Sequence, residues 1–294
     1  MRQHPILESV RSRPLLFDGA LGTELMKRGL PQGTAPELWN VSHPDVLREI
    51  HASYFAAGSD AVSTNSFGGS PIKLASHRLE ERRRELNQAA VRCARDARPA
   101  GRFIAGSLGP TGKFLKPQGE FTEEEFERAF FVQAEDLAAG GADLIIIETM
   151  FDLREAAAAL RAARRSSTLP VFITMTFNKT PRGYFTIMGQ NVSQCLRELE
   201  AQGADAVGAN CTLASGEMIG LARELRRNTA LPVLVQPNAG QPEASPSGEF
   251  VYRQPAAEFA RDMAAILAEG VDIIGGCCGT TPEHISRIAA LIRP

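Results

Sequence analysis

Three of the five cysteines occur in segments whose residue types could bind a metal ion. Cys211 follows Asn210 at the end of a short apolar run, whereas Cys277 and Cys278 are adjacent and have glycines on both sides. Three thiolates leave the fourth position of a tetrahedral Zn²⁺ site open, which suits a substrate that is itself a thiol. Zinc would deprotonate that thiol and hold it for attack on a methyl group. These residues therefore predict zinc-assisted chemistry on sulfur.

The same cysteines also allow structural explanations. Adjacent cysteines occur as buried neighbours or as vicinal disulfides, and Cys211 alone could be a packing residue. Neighbouring side chains of a regular strand point to opposite faces, so Cys277 and Cys278 can face one ion only where the backbone leaves strand geometry. The flanking glycines permit that departure. The spacing alone leaves both explanations open.

Composition and charge argue against several classes of protein. The chain has 44% hydrophobic and 22% charged residues, typical of globular proteins, and a net charge of −2 offers no basic surface for nucleic acid or an anionic membrane. Residues 1–10 contain no long apolar stretch, and no run approaches the roughly 18 apolar residues of a membrane span. The odd number of cysteines favours reduced thiols, with Cys93 and Cys195 as packing residues in helices. We expect a cytoplasmic protein with neither nucleic acid nor membrane as a partner.

A Gly-x-Asp-apolar-apolar phrase occurs four times, beginning at Gly58, Gly141, Gly203 and Gly270. Each phrase follows an amphipathic helical pattern, so we predict that its glycine ends a helix in the left-handed conformation and that a buried strand follows. The intervals between phrases are about twice the length of a βα unit of roughly 30–40 residues. A further strand should therefore lie in each interval.

Apolar runs supply these additional strands, at residues 15–17, 102–106, 170–175 and 232–236. Helical periodicity follows the strands, for example over residues 123–139, 153–165 and 256–268. Eight alternating units favour a closed (β/α)₈ TIM barrel, with an open doubly wound sheet as the alternative. Because no linker or low-complexity segment interrupts residues 1–294, we expect a single domain.

Barrel enzymes carry their chemistry at the C-terminal ends of the strands. Asp18, Glu148, Asn238 and the three cysteines all fall at such ends in this sequence. Three long loops, at residues 19–44, 109–121 and 239–253, are predicted to form walls or lids there. A Schiff-base aldolase on the same scaffold would need a lysine at a strand end, and none of the eight predicted ends contains one.

At these ends the sequence resembles the homocysteine S-methyltransferase family. This family includes the homocysteine module of cobalamin-dependent methionine synthase and the betaine and S-methylmethionine enzymes. The matching segments are residues 18–23, 64–69, 106–112, 147–149, 208–211 and 275–280, in family order. The resemblance implies a (β/α)₈ barrel that binds homocysteine and converts it to methionine.

The resemblance also implies a role for each matching residue. Cys211, Cys277 and Cys278 would bind zinc and carry the catalysis. The predicted homocysteine contacts are Asp18, Gly19, Gly22, Thr23, Glu148 and Asn210. The two carboxylates suit the α-ammonium group, with a structural cap or ion pair as the alternative, and the glycine-rich turn suits the α-carboxylate. Asn238 is either a fourth zinc ligand in the absence of substrate or a simple turn residue.

The methyl donor is less well determined. Residues 237–240 resemble the methionine synthase modules, which favours methylcobalamin or a methylated corrinoid protein supplied by a separate partner. Animal betaine enzymes have an aromatic residue where Gly68 stands, and a ring would favour an onium donor through cation–π attraction. Residues 36–40 nevertheless resemble some bacterial betaine enzymes, so Trp39 could face an onium donor or simply anchor its loop. A non-catalytic thiol- or zinc-binding subunit of a larger complex is the alternative of another class.

Overall fold

The computed structural model describes residues 4–244 and 250–293. Within this part of the chain, eight parallel strands form one sheet in which the first strand pairs with the eighth. A parallel bridge between Phe17 and Ala61 joins the first strand to the second and completes the ring. The barrel strands are Leu15–Leu16, Ala61–Ser63, Phe103–Leu108, Leu144–Met150, Val171–Met175, Ala206–Ala214, Val233–Asn238 and Ile273–Ile274. The (β/α)₈ TIM barrel is confirmed, and an open doubly wound sheet is excluded.

Helices surround this barrel in alternation with its strands. They are Pro5–Ser12, Leu21–Lys27, Trp39–Ser42, Pro44–Ala56, Pro71–Ala75, Arg83–Asp96, Glu123–Gly140, Leu153–Ser166, Val192–Ala201, Ser215–Arg227, Ala256–Ala268 and Pro282–Ile292, with short 3₁₀ turns at Pro36–Leu38 and Glu80–Arg82. The three helices predicted by periodicity occur within one residue of their expected bounds. None of the described helices is both long and apolar enough to cross a membrane.

Two antiparallel hairpins extend the loops that follow the fifth and seventh barrel strands. The first pairs Asn178–Thr180 with Gly183–Phe185, and the second pairs Glu243–Ala244 with Phe250–Val251. The second hairpin occupies the predicted loop 239–253, of which residues 245–249 lie outside the described part. Neither hairpin was predicted from the sequence.

Two layers of apolar side chains hold the barrel together. The larger layer lies between the strands and the surrounding helices. The smaller layer fills the barrel interior with Phe17, Phe172 and their neighbours, and Ile6 and Leu7 of the N-terminal helix pack against it. Because that helix covers the N-terminal ends of the strands, the interior is closed on this side.

The four Gly-x-Asp phrases lie at the N-terminal ends of the strands, which we call the lower rim. Their glycines have φ values of 108°, 95°, 86° and 87°, so the left-handed conformation is confirmed. Each aspartate accepts an N–H from the beginning of a neighbouring strand and pairs with arginine. The pairs are Asp60 with Arg13, Arg102 and Arg293, Asp143 with Arg98, Asp205 with Arg164, and Asp272 with Arg226.

Candidate functional site

The three predicted metal-binding cysteines come together at the C-terminal ends of the strands, the upper rim. Their sulfur atoms all lie within 4.8 Å of one another, and Cys211 Sγ is 3.8 Å from Cys278 Sγ. In a tetrahedral site with Zn–S bonds of about 2.3 Å, the sulfurs are separated by about 3.8 Å. A disulfide would need about 2.05 Å, and all three thiols are free. The donor set and its spacing therefore fit a zinc ion.

Cys211 occupies a strained part of the sixth strand. Cys211 and Thr212 have φ values of 58° and 65°, and the strand's register with its neighbour shifts between Asn210 and Ala214. A β-branched residue at positive φ is a genuine outlier and costs about 1–3 kcal/mol. Such strain concentrates at functional sites, because the surrounding fold must hold the residue in place.

Cys277 and Cys278 lie in a tight turn after the eighth strand, as the flanking glycines predicted. The N–H of Cys277 donates to Pro237 O at 2.7 Å, while the N–H and hydroxyl of Thr280 donate to Cys277 O at 3.1 and 2.7 Å. Gly279 has a φ of 81°. Leaving strand geometry brings both sulfurs to the same side, next to Cys211.

The three thiols share hydrogen bonds. Bonds from Cys211 and Cys277 lower the pKa of Cys278, and the same contacts raise the pKa of Cys277. Within the cluster, Cys278 is therefore the thiol that most favours the thiolate form. A divalent metal would replace the protons of the other two thiols.

Asn210 is buried beside the cysteines with its amide group fully used. Its Oδ1 accepts from Thr149 N and from Thr174 Oγ1, each at 2.8 Å. Its Nδ2 donates to Thr149 Oγ1 at 2.7 Å and to Cys277 Sγ at 3.8 Å. These contacts place Asn210 as a support for the cysteine cluster, while its contact with homocysteine stays a prediction.

Two carboxyl groups lie at the same rim, of which Asp18 is buried and Glu148 is partly buried. Asp18 accepts from Ser63 N at 2.9 Å and Ser63 Oγ at 3.3 Å, and Glu148 accepts from Ser107 Oγ at 2.5 Å. Burial raises the pKa of Asp18 well above its usual value, and the charge of Glu148 adds to that shift. Burial also raises the pKa of Glu148 to about 6, with a contribution from the charge of Cys278. The carboxyl pair therefore lies within electrostatic reach of the cysteines.

The glycine-rich turn after the first strand packs against the cysteine turn. A Cβ on Gly19 would lie 2.6 Å from Thr280 Oγ1, so a larger residue would not fit there, whereas Gly22 has open space around it. Thr23 Oγ1 accepts the N–H of Gly279 at 3.2 Å. The helix Leu21–Lys27 has no side-chain cap at its N-terminus.

Asn238 lies at the end of the seventh strand with 2% of its surface exposed. Its Oδ1 is buried and has no hydrogen-bond partner among the described residues. Since a buried acceptor without a partner costs free energy, this oxygen suits a ligand or an ion at the rim.

The other residues singled out by the sequence have structural roles. Cys93 and Cys195 are buried in the core, as predicted. Trp39 is 7% exposed and its ring stacks on His43 with centroids 4.3 Å apart. The tryptophan therefore anchors its loop, which favours that alternative over a π face for a donor.

Sequence reasoning assigned no role to several residues that shape the site. Ser63, Ser107 and Thr280 bind its carboxylates or its cysteine turn, and each lies in or beside a quoted motif, so its position was a usable signal. Thr149 also lies in a matching segment, but its φ of 64° could not be foreseen, because threonine rarely adopts this conformation.

Apolar side chains stand exposed around the upper rim. Phe67, Phe114 and Ile187, on segments that follow the second, third and fifth strands, are 39%, 45% and 72% exposed. Phe114 also makes an edge contact with Phe151, with ring centroids 6.0 Å apart. Exposed apolar groups are therefore found on three of the loops at the C-terminal ends of the strands.

A closed parallel barrel with three converging thiols at its upper rim defines a (β/α)₈ protein with a candidate metal centre. The family model described as homocysteine S-methyltransferase matches residues 15–292. The chain belongs to this family.

Individual relatives agree with this assignment. The chain is 34% identical to the methionine synthase of Mycobacterium leprae and 35% identical to that of Mycobacterium tuberculosis, in both cases over 98% of its own length. It spans about a quarter of the length of these curated relatives. The metallated form of the Escherichia coli homocysteine methyltransferase MmuM has a TM-score of 0.81 at 26% identity, covering 98% of this chain and 100% of that one.

Proposed function

We propose that this chain transfers a methyl group to the thiol of homocysteine, forming methionine, with Cys211, Cys277 and Cys278 holding Zn²⁺. The observation that carries the proposal is the convergence of three free thiols at tetrahedral spacing beside a pair of carboxyl groups. Homocysteine has a thiol and an α-ammonium group on one short chain, so it can use both features together. MmuM, which shares the fold, is a homocysteine methyltransferase with a metallated form.

The carboxyl pair suits the amino-acid end of the substrate. Loss of contact with water raises the pKa of both Asp18 and Glu148, and the charge of Glu148 raises that of Asp18 further. An ammonium group placed between them would oppose these shifts and favour their ionised forms. The free amides around Gly19, Gly22 and Thr23 would receive the α-carboxylate, because a glycine-rich turn exposes backbone donors.

The cysteines would activate the thiol of homocysteine through the metal that they hold. Cys211, Cys277 and Cys278 would hold Zn²⁺, and the metal would supply the Lewis acidity that favours the thiolate of homocysteine at neutral pH. A new C–S bond then forms as the bond between donor and methyl breaks, and the thiol proton leaves to solvent. Asn210 holds Cys277 in place during this step through its amide. Asn238 would act as a fourth ligand when substrate is absent, and its buried Oδ1 without a partner among the described residues supports this role.

The donor we favour is a methylated corrinoid, either methylcobalamin or a separate corrinoid protein. The similarity to methionine synthases supports this choice. The exposed apolar groups at the upper rim suit a large partner better than a small polar donor. Betaine and S-methylmethionine are the alternative donors, and Phe114 with Phe151 is the aromatic pair that would face such a cation. Because the cluster needs reduced thiols, we place the protein in the cytoplasm.

Elemental analysis of the wild type and of Cys277→Ala tests the proposal. We expect about one zinc per chain in the wild type and almost none in the variant, since removing one of three ligands leaves an incomplete site. Methionine formation from homocysteine, assayed with methylcobalamin, betaine and S-methylmethionine in parallel, should be lost together with the metal. Cys195→Ala is the matched control, because that thiol is buried in the core away from the cluster.

Each outcome of this experiment is decisive. Metal-free protein that still forms methionine would show that the cysteines are structural and would contradict the proposal. Activity with betaine but not with methylcobalamin would reject the corrinoid donor alone. Zinc binding without methionine from any donor would favour the non-catalytic subunit instead.

A further inference from the structure

A polar layer lies directly above the apolar layer that fills the barrel interior. Leu234 and Ile146 belong to the apolar layer. Side chains two residues apart on a strand share one face, so Gln236 and Glu148 also face the interior, one step nearer the upper rim. Gln236 is aligned with Asn210 across two neighbouring strands. The glutamine therefore belongs to the surroundings of the candidate site, although it lies outside every motif that the sequence offered.

Gly275 leaves room for the amide of Gln236. A Cβ placed on this glycine would lie 3.0 Å from Asp18 O and 3.1 Å from Gln236 Nε2. Since both atoms approach the same point, the glutamine amide lies beside the backbone of Asp18. The carboxyl group of Asp18 in turn feels the charge of Glu148. Gln236 and the two carboxyl groups therefore lie together at the upper end of the barrel interior.

Gln236 differs from its neighbour Asn210 in the use of its side-chain amide. Both atoms of the Asn210 amide make hydrogen bonds within the chain. Gln236 is 4% exposed, yet its Oε1 is buried and has no hydrogen-bond partner among the described residues. Burying an acceptor without a partner costs free energy, and most buried polar groups are paired. The site thus keeps an acceptor that these residues leave unused.

We propose that Gln236 is a further binding residue for the amino-acid end of the substrate, with its Oε1 accepting a hydrogen bond from the α-ammonium group. The inference rests on the proposed function, because it takes homocysteine as the substrate. An ammonium group has three N–H donors, and Asp18 and Glu148 would accept two of them. The neutral amide oxygen supplies a third acceptor without adding another negative charge to the site.

This contact would make the site selective for thiols that carry an ammonium group. A site built to hydrogen-bond one group of its substrate rejects analogues that lack the group, because its own polar atom then stays unpaired. The compound 4-mercaptobutanoate has the thiol, the chain length and the carboxylate of homocysteine but no ammonium group. With this analogue bound, Gln236 Oε1 would gain no partner.

Replacing Gln236 by leucine removes the acceptor and keeps a side chain of similar size. Isothermal titration calorimetry of the zinc-loaded protein measures the affinity for each thiol. We expect Gln236→Leu to weaken homocysteine binding about tenfold, as for the loss of a hydrogen bond to a charged group, and to change 4-mercaptobutanoate binding less than about twofold. Gln236→Glu keeps an acceptor and should bind homocysteine more tightly than Gln236→Leu does.

Gln133→Leu is the matched control. This glutamine also has a buried Oε1 without a partner among the described residues, but it lies on the helix Glu123–Gly140 outside the barrel. Its replacement should leave the ratio of the two affinities unchanged. The thermal midpoint of Gln236→Leu without substrate should not fall below that of the wild type, because the oxygen that is lost makes no hydrogen bond in the free protein.

Three results would overturn the inference. One is a Gln236→Leu variant that binds homocysteine as tightly as the wild type. Another is an equal loss of affinity for both thiols together with a lower thermal midpoint, which would make the glutamine a packing residue only. The third is a Gln236→Glu variant that binds homocysteine no more tightly than Gln236→Leu. A wild type that binds neither thiol would instead contradict the proposed function, and the inference would fall with it.

Discussion

The pKa values of acidic residues are shifted in opposite directions at the two rims of the barrel. At the lower rim, burial raises the pKa of Asp60, but hydrogen bonds from Arg13 and Leu16 N outweigh it and the net pKa is lowered. At the upper rim, burial prevails and the pKa values of Asp18 and Glu148 are raised. The lower rim supplies its own counter-charges, whereas no lysine or arginine among the described residues forms an ion pair with Asp18 or Glu148.

The backbone shows the same contrast. At the lower rim the positive φ angles of the four phrases fall on glycines, which adopt them without strain. At the upper rim they fall not only on glycines such as Gly279 but also on Thr149, Cys211 and Thr212. The lower rim is therefore built for stability, and the upper rim accepts strain in order to place chemical groups.

Removing the central acid of the lower rim tests this division most strongly. Asp60→Ala should lower the free energy of unfolding by about 3–5 kcal/mol, because three arginines lose a buried partner. Urea unfolding measures the loss, and zinc content should stay unchanged. If zinc binding fell while the protein stayed folded, the rims would be coupled and the division would be wrong.

A second test uses Glu155, a helix residue at the upper rim. Its carboxylate accepts the N–H and the hydroxyl of Thr111, which lies in the loop 109–121, both at 2.7 Å. Burial raises its pKa to about 7, so the fold favours the protonated form. The contribution of protonated Glu155 to the free energy of unfolding is fully present below the glutamate pKa of the unfolded chain, about 4.3. It is lost as the pH rises through 7.

Glu155→Gln cannot titrate and should avoid that loss. Relative to the wild type, its free energy of unfolding should increase by about 2–3 kcal/mol between pH 4.5 and pH 8. Urea unfolding at both pH values measures the difference. The exposed Glu81→Gln serves as the control and should follow the wild type. A constant difference between Glu155→Gln and the wild type would contradict the predicted titration.

The smallest effect is expected from relieving strain at the upper rim. Thr212→Gly should raise the free energy of unfolding by about 1 kcal/mol, because glycine adopts a φ of 65° freely and this gain exceeds its greater entropy in the unfolded chain. Thr212→Ala removes the same hydroxyl and methyl groups but keeps a Cβ, so it should not stabilise. Thermal unfolding compares them, and equal midpoints would show that the backbone is unstrained.

The regular parts of the molecule were predictable from the sequence. The spacing of the Gly-x-Asp phrases and the apolar runs indicated the eight strands, and the glycines of the four phrases marked helix ends. These features were predictable because they depend on local sequence. The cysteine cluster was foreseeable since strand ends of a barrel meet at one rim.

Other features depend on tertiary contacts that no local pattern reveals. The aspartates of the four phrases bind arginines from other segments of the chain, as in the pair of Asp205 with Arg164, and only the repetition of the phrase was visible in the sequence. The amide of Asn210 could have faced a substrate or a ligand, and the partners that decide this lie on two other strands.

The helix Pro5–Ser12 has a consequence for the order of events. Because it packs against the interior layer at the lower rim, anything that reaches the sulfurs enters and leaves at the opposite end. Two reactants that meet at the sulfurs must therefore use the same route of entry and exit. Under the proposed function, the deeper-lying amino acid would have to arrive before its donor, and the finished product would have to wait for the spent donor to withdraw.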